Sequence, residues 1–167
     1  MPIVRRPRPM TTDLLVFSLG KQQFALPVGQ VSTVVPRATL TPLPGAPEDL
    51  IGLLRLRGAL CPVIDIRARL GLSVAAPHIG ECIIVMHTAA FGVGLLVEGI
   101  EGVVVPPTDP ADRLAPIETE RLIRGVVEVS GRVVATLDVE AVVGDDVRAY
   151  LAASADGLHG QAGRIAA

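Results

Sequence analysis

GLLRLRGALCPVIDIRARLGL, residues 52–72, reads as two short strands around a tight turn, followed by one or two turns of helix. Leu53 to Arg57 is the first strand, Gly58 and Ala59 the turn, and Leu60 to Ile64 an apolar, partly β-branched second strand. Pro62 has no N–H for a ladder, so the second strand is expected at an edge or bulged there. Asp65 is suited to cap a helix start, because its carboxylate accepts from free first-turn N–H groups. Gly71 is suited to the left-handed stop.

The same layout returns 73 positions later in GVVEVSGRVVATLDVEAVVG, residues 125–144. Gly52, Gly58, Asp65, Ala68 and Gly71 fall on Gly125, Gly131, Asp138, Ala141 and Gly144. The apolar positions match as well, Leu56 with Val129, Leu60 with Val133 and Ile64 with Leu137. Upstream, Leu15-Val16-Phe17 aligns with Ile84-Val85-Met86 at an offset of 69, as do Leu26-Pro27-Val28 with Leu95-Leu96-Val97. Val31, Val34 and Val35 align with Ile100, Val103 and Val104. A fixed offset shared by backbone-special residues marks an internal repeat. Glycines and caps recur because the fold needs them, so the positions that break the repeat carry more information. Arg57 falls on Ser130, Arg55 on Glu128 and Pro62 on Ala135.

Each copy supplies about five short strands and a short helix, divided by Gly and Pro turns. Such strands are stabilised by closure into small barrels, which removes exposed edges. The expected fold is all-β with short helices: two pseudo-repeated five-stranded β-barrels sharing a hydrophobic interface. Residues 1–12 are expected as a disordered Pro- and Arg-rich arm, 13–144 as the folded domain with its seam near 73–80, and 145–167 as a short helix and flexible tail. Val31 to Val35 reads equally as a helical turn or a strand start.

Hydrophobic residues make up 50% of the 167 and aromatics only 2%, so the core must be built from Val, Leu, Ile and Ala. A net charge of −2 gives no drive toward nucleic acid, whose binding rests on phosphate neutralisation. Scarce aromatics also remove stacking platforms for single strands. Cys61 and Cys82 form neither a disulfide framework nor a zinc pattern and read as buried thiols in a reduced compartment. No apolar run approaches the ~18 residues of a membrane span, and the expected location is cytoplasmic.

Enzyme signatures are poor. His78, His87 and His159 are scattered, no Ser lies in a nucleophile elbow, and Gly92-Val93-Gly94 lacks the third glycine of a dinucleotide loop. Glu98 with Glu101 reads as a pair of exposed carboxylates. No catalytic group, cofactor or metal is expected. Arg57 is the sharpest residue: at a strand end beside Gly58, it can offer a donor fork to a partner's carboxylate or backbone carbonyls.

Gly52 through Arg67, as G-x-x-x-L-R-G-x-x-x-P-V-I-D-[IL]-R, resembles the central signature of the CheW-like domain family. The flanks agree: Leu15-Val16-Phe17-Ser18-Leu19 with Phe24-Ala25-Leu26-Pro27-Val28, Leu43-Pro44, and Gly94-Leu95-Leu96-Val97-Glu98. The resemblance covers about Asp13 to Gly144. It implies a non-catalytic adaptor that couples the cytoplasmic tips of methyl-accepting chemoreceptors to the regulatory domain of a CheA-type histidine kinase. The adaptor would be recruited to membrane receptor arrays without inserting into the membrane. By the same resemblance Arg57 and Gly58 lie by a receptor groove, with Val31 and Ile83 as apolar contacts. Two positions near that surface depart from the family: Arg55 where Asn is usual before Leu-Arg-Gly, and Thr33 where Glu is frequent. Those departures also fit an adaptor of a non-flagellar pathway controlling pili or gene expression. A different class, a small-molecule-binding double barrel, would show a cavity holding two or more titratable groups with shifted proton affinity.

Overall fold

The structure is a computed structural model, described for residues 13–106, 113–114 and 122–154. The expected arm, and the end of the tail beyond 154, lie outside the described residues. The strands are β1 (Leu14–Leu19), β2 (Gln22–Pro27), β3 (Val31–Pro36), β4 (Leu50–Leu56), β5 (Ala59–Ile64), β6 (Cys82–His87), β7 (Gly92–Val97), β8 (Gly99–Val104), β9 (Arg113–Leu114), β10 (Ile123–Val129) and β11 (Arg132–Leu137). A one-turn helix α1 (Val139–Val142) follows, and 145–154 form a second helix, α2. Val31 to Val35, ambiguous in sequence, is the strand β3.

Two sheets form, in the orders β8-β1-β2-β11-β10-β9 and β3-β6-β7-β5-β4. They match strand for strand under the repeat: β3 corresponds to β8, β6 to β1, β7 to β2, β5 to β11 and β4 to β10. Even the isolated bridge Thr41–Leu53 corresponds to the pairing of Leu114 with Val126. The two barrel-like halves are therefore pseudo-equivalent.

Neither half is one sequence copy. The sheet built on β4 and β5 takes β6 and β7 from the second copy, and the other takes β1 and β2 from the first. The exchange is sealed by two parallel contacts, Val63–Gly94 and Ile64–Leu95 in one sheet, Ala135–Phe24 and Thr136–Ala25 in the other. The expected seam at 73–80 consequently does not separate the sheets; it joins β5 to β6 within one of them. Gly94 allows the close parallel approach, since a Cβ there would sit 2.7 Å from Ile83 Cγ2 and 3.1 Å from Val63 Cγ2.

Strand alternation sends successive side chains to different cores. Leu15, Phe17, Leu19, Leu26, Ile64, Ile84, Met86, Leu95 and Leu137 form the apolar layer between the sheets. Leu54, Cys61, Val63, Ile83, Val85 and Leu96 fill one barrel-like half. Leu14, Val16, Ala25, Val127 and Val134 fill the other. Phe17 and Phe24 stack in the shared layer with ring centroids 6.2 Å apart.

The decisive hairpin differs from its reading by one residue. Leu56 pairs with Ala59, so the turn is Arg57-Gly58. Both residues have positive φ, 49° at Arg57 and 81° at Gly58, as a two-residue turn matched to strand twist requires. The repeat reproduces this at Ser130 and Gly131, with φ 52° and 77°. Asp65 caps the following turn by accepting from the Arg67 N–H at 3.0 Å, and Asp138 caps α1 by accepting from Glu140 N–H at 2.9 Å.

Candidate functional site

The β4–β5 hairpin ends in an exposed tip that carries three of the expected residues, Arg55, Arg57 and Gly58. Leu54 and Leu56 point into the barrel interior, which leaves Arg55 on the outer face. Its cross-strand partner is Leu60, 41% exposed although large and apolar. Among the described residues, neither Arg55 nor Arg57 is ion-paired to a carboxylate. The tip thus offers two free guanidinium groups beside an apolar side chain, on a hairpin fixed by a defined turn.

Val31 and Thr33 lie elsewhere, on β3, the opposite edge strand of the same sheet. Both are half-buried, and Val31 packs against the layer between the sheets. Ile83 corrects an expectation. It pairs with Val35 and is 0% exposed, facing inward among Leu54, Val63 and Leu96. It supports the wall behind β3 and cannot be a surface contact. The six expected residues therefore fall into an exposed basic tip, a half-buried edge strand and one interior side chain.

Sequence reasoning missed a charged network behind the hairpin. Arg67 is 3% exposed and holds Asp65 through three bonds, Nη2 to Oδ2 at 2.7 Å, Nε to Oδ1 at 3.0 Å and Nε to Oδ2 at 3.2 Å. Its Nη1 donates to Glu98 Oε1 at 3.1 Å. Glu98 is therefore a partner of a buried cation rather than an exposed carboxylate. Glu81, with a fully buried side chain, pairs with Arg37; its Oε1 lies 3.8 Å from Arg67 Nη1 and 3.7 Å from His78 Nδ1. Hydrogen bonding by Asp65 raises the Arg67 guanidinium above its ordinary proton affinity, against the opposing effect of burial. Beyond Asp65, the partners Glu81 and Glu98 come from positions 14 and 31 residues downstream, which no local pattern discloses.

Arg37, Asp65 and Arg67 line an open cleft of about 640 Å³, together with Leu40, Ile51 and Leu96. Among the described residues two other groups have shifted proton affinity, Asp49 and Cys61, both raised chiefly by burial. Neither lines this cleft. What the cleft presents is a permanently charged arginine held by carboxylates, an arrangement that fixes β5, β7 and the 73–80 connection rather than moving a proton.

The family model of the CheW-like domain matches residues 13–147. The chain belongs to the CheW-like domain family. A chemotaxis protein CheW of Rhizobium meliloti is 31% identical over 139 residues, covering 81% of this chain and 90% of that one. A probable chemotaxis protein CheW of Rhizobium etli is 28% identical over 133 residues, covering 78% and 86%. The crystal structure of the scaffolding protein TtCheW from Thermoanaerobacter tengcongensis superposes with a TM-score of 0.74 at 23% identity, covering 83% of this chain and 96% of that one. The CheW-like fold thus accounts for the paired barrel-like halves. No helix among the described residues is long and apolar enough to cross a membrane.

Proposed function

We propose that this chain is a non-catalytic chemotaxis adaptor that couples chemoreceptor tips to the regulatory domain of a CheA-type histidine kinase, in the cytoplasm at membrane receptor arrays. The observation that carries the reading is the family match across residues 13–147, which embraces both pseudo-equivalent halves. An adaptor works by mass action and geometry. Several weak contacts held on one rigid body give avidity that no single contact supplies. The free Arg57 fork, presented on a short turn, suits a contact of that kind.

The experiment is calorimetric titration of the protein with the regulatory domain of its organism's CheA-type kinase and, separately, with a receptor-tip fragment. Saturable binding to both, and a ternary complex when both are present, is the expected result. Binding to neither would remove the adaptor reading.

A further inference from the structure

Residues 73–80 divide the strands into a first set, β1 to β5, and a second, β6 to β11. The pairings inside each set are small ones: β1 with β2 and β4 with β5 in the first, β6 with β7 and β9-β10-β11 in the second. Every strand pairing that joins these pieces into a sheet runs between the sets. β1 pairs with β8, β2 with β11, β3 with β6 and β5 with β7. Isolated hairpins are marginal in water, so neither set is stable by its own pairings.

The cores are shared in the same way. Leu54, Cys61 and Val63 of the first set pack with Ile83, Val85 and Leu96 of the second. Leu14, Val16 and Ala25 pack with Val127 and Val134. The polar ties also run between the sets: Arg37 to Glu81, Arg67 to Glu98, and Arg69 to the Val142 carbonyl. None of these contacts requires both sides to belong to one chain. What keeps them in one chain is the connector, and it is loosely held. All of residues 73–80 are exposed, Ile79 completely. Glu81 N–H donates to His78 O at a long 3.5 Å, and His78 Nδ1 lies 3.7 Å from Glu81 Oε1, beyond hydrogen-bond distance. Opened out, such a connector spans roughly 26–29 Å, about the width of a small domain.

From this topology we infer that the chain forms a strand-exchanged dimer, in which β1 to β5 of each copy complete their sheets with β6 to β11 of the other. The partner is a second copy of this chain, and the interface is the one already present inside the monomer. Both forms bury the same surfaces, so concentration and the connector decide between them. A short flexible link holds its two ends at an effective concentration of roughly a millimolar, so the closed monomer prevails in dilute solution. Chains that fold together near that concentration meet a second copy's strands about as often as their own. Once formed, the dimer reverts only by opening all the pairings between the sets, which is unfolding, so it persists on dilution. It carries two complete double-barrel units, a bivalent body where the monomer is univalent. The inference does not rest on the adaptor reading.

The test uses the full chain. It is unfolded in urea, refolded at about 1 µM and at about 1 mM, and sized by light scattering after dilution to one common concentration. Monomer is expected from the dilute refolding, and from the concentrated one a dimer that survives dilution. A second measurement separates strand exchange from surface-to-surface association. A protease site is inserted between Ala75 and Ala76, in an exposed loop that tolerates insertion. Equal amounts of isotope-labelled and unlabelled chain are refolded together, and the dimer is isolated, cleaved at the site without unfolding, and weighed by native mass spectrometry. Cleavage is expected to release monomer-sized particles, about half of which combine a labelled fragment with an unlabelled one. Particles carrying a single label throughout would mean that whole monomers had associated, and would overturn the inference. Refolding to monomer alone at both concentrations would overturn it as well.

Discussion

Arg69 donates through Nη1 to the carbonyl oxygen of Val142 at 2.7 Å, reaching from the turn after β5 to the end of α1 after β11. Its Nη2 donates to Ala141 O at 3.1 Å and its Nε lies 3.5 Å from Asp49 Oδ2. One side chain thus closes a helix end in one repeat and holds a carboxylate in the other. Arg69→Met removes charge-assisted bonds to two carbonyls. The expected loss is about 1–3 kcal/mol, read as a lower urea midpoint at unchanged m.

Arg67 should matter more. Its removal leaves Asp65, Glu81 and Glu98 crowded behind the hairpin without their shared cation. Breaking a buried pair from one side costs about 3–5 kcal/mol. Arg67→Met is expected to lower the unfolding free energy by that amount in denaturant melts. A loss under ~1 kcal/mol would show that the network is not a stabilising element.

Asp49 gives a pH signature. Burial lifts its carboxyl above the ordinary value of 3.8, and Glu48, Asp65 and Asp146 add to the rise, while Arg69 opposes it. A raised carboxyl holds its proton more tightly in the folded state than in the unfolded one. Its contribution to stability is full below the unfolded value and is lost as pH climbs through the raised folded value. Asp49→Asn should remove this slope. Relative to wild type, the variant should gain stability as pH rises above 3.8 and through the raised folded-state value. Parallel wild-type and variant profiles across that range would contradict the assignment.

The two thiols should separate cleanly. Cys61 is buried in a barrel interior, and burial pushes its thiol up to about 11. Cys82 is half-buried at the start of β6. Alkylation near neutral pH needs thiolate and access. Mass spectrometry of the folded protein should find label at Cys82 and none at Cys61 until denaturant is added.

The hairpins were legible in sequence because turn residues and apolar alternation are local, and the repeat let each copy check the other. The phase of β3 was not. Its side chains alternate between half-buried and exposed, but the apolar Val34 falls on the exposed face, so apolar residues at 31, 34 and 35 fit two periods. The facing of Ile83 was hidden for another reason. Ile83, Ile84, Val85 and Met86 are all buried, one pair inside a barrel and the other between the sheets, and a run buried on both faces has no period to read. The Arg57-Gly58 tip was found from residue chemistry, whereas the outward placement of Leu60 emerges only from its pairing with Arg55.

The crossed hairpins carry a consequence for how the chain could be divided. With residues 73–80 removed in thought, what remains is two similar chains, each lending its first two strands to the other. That is the arrangement of a domain-swapped homodimer. Two separately expressed halves, divided within 73–80, should therefore find each other in solution and rebuild both sheets.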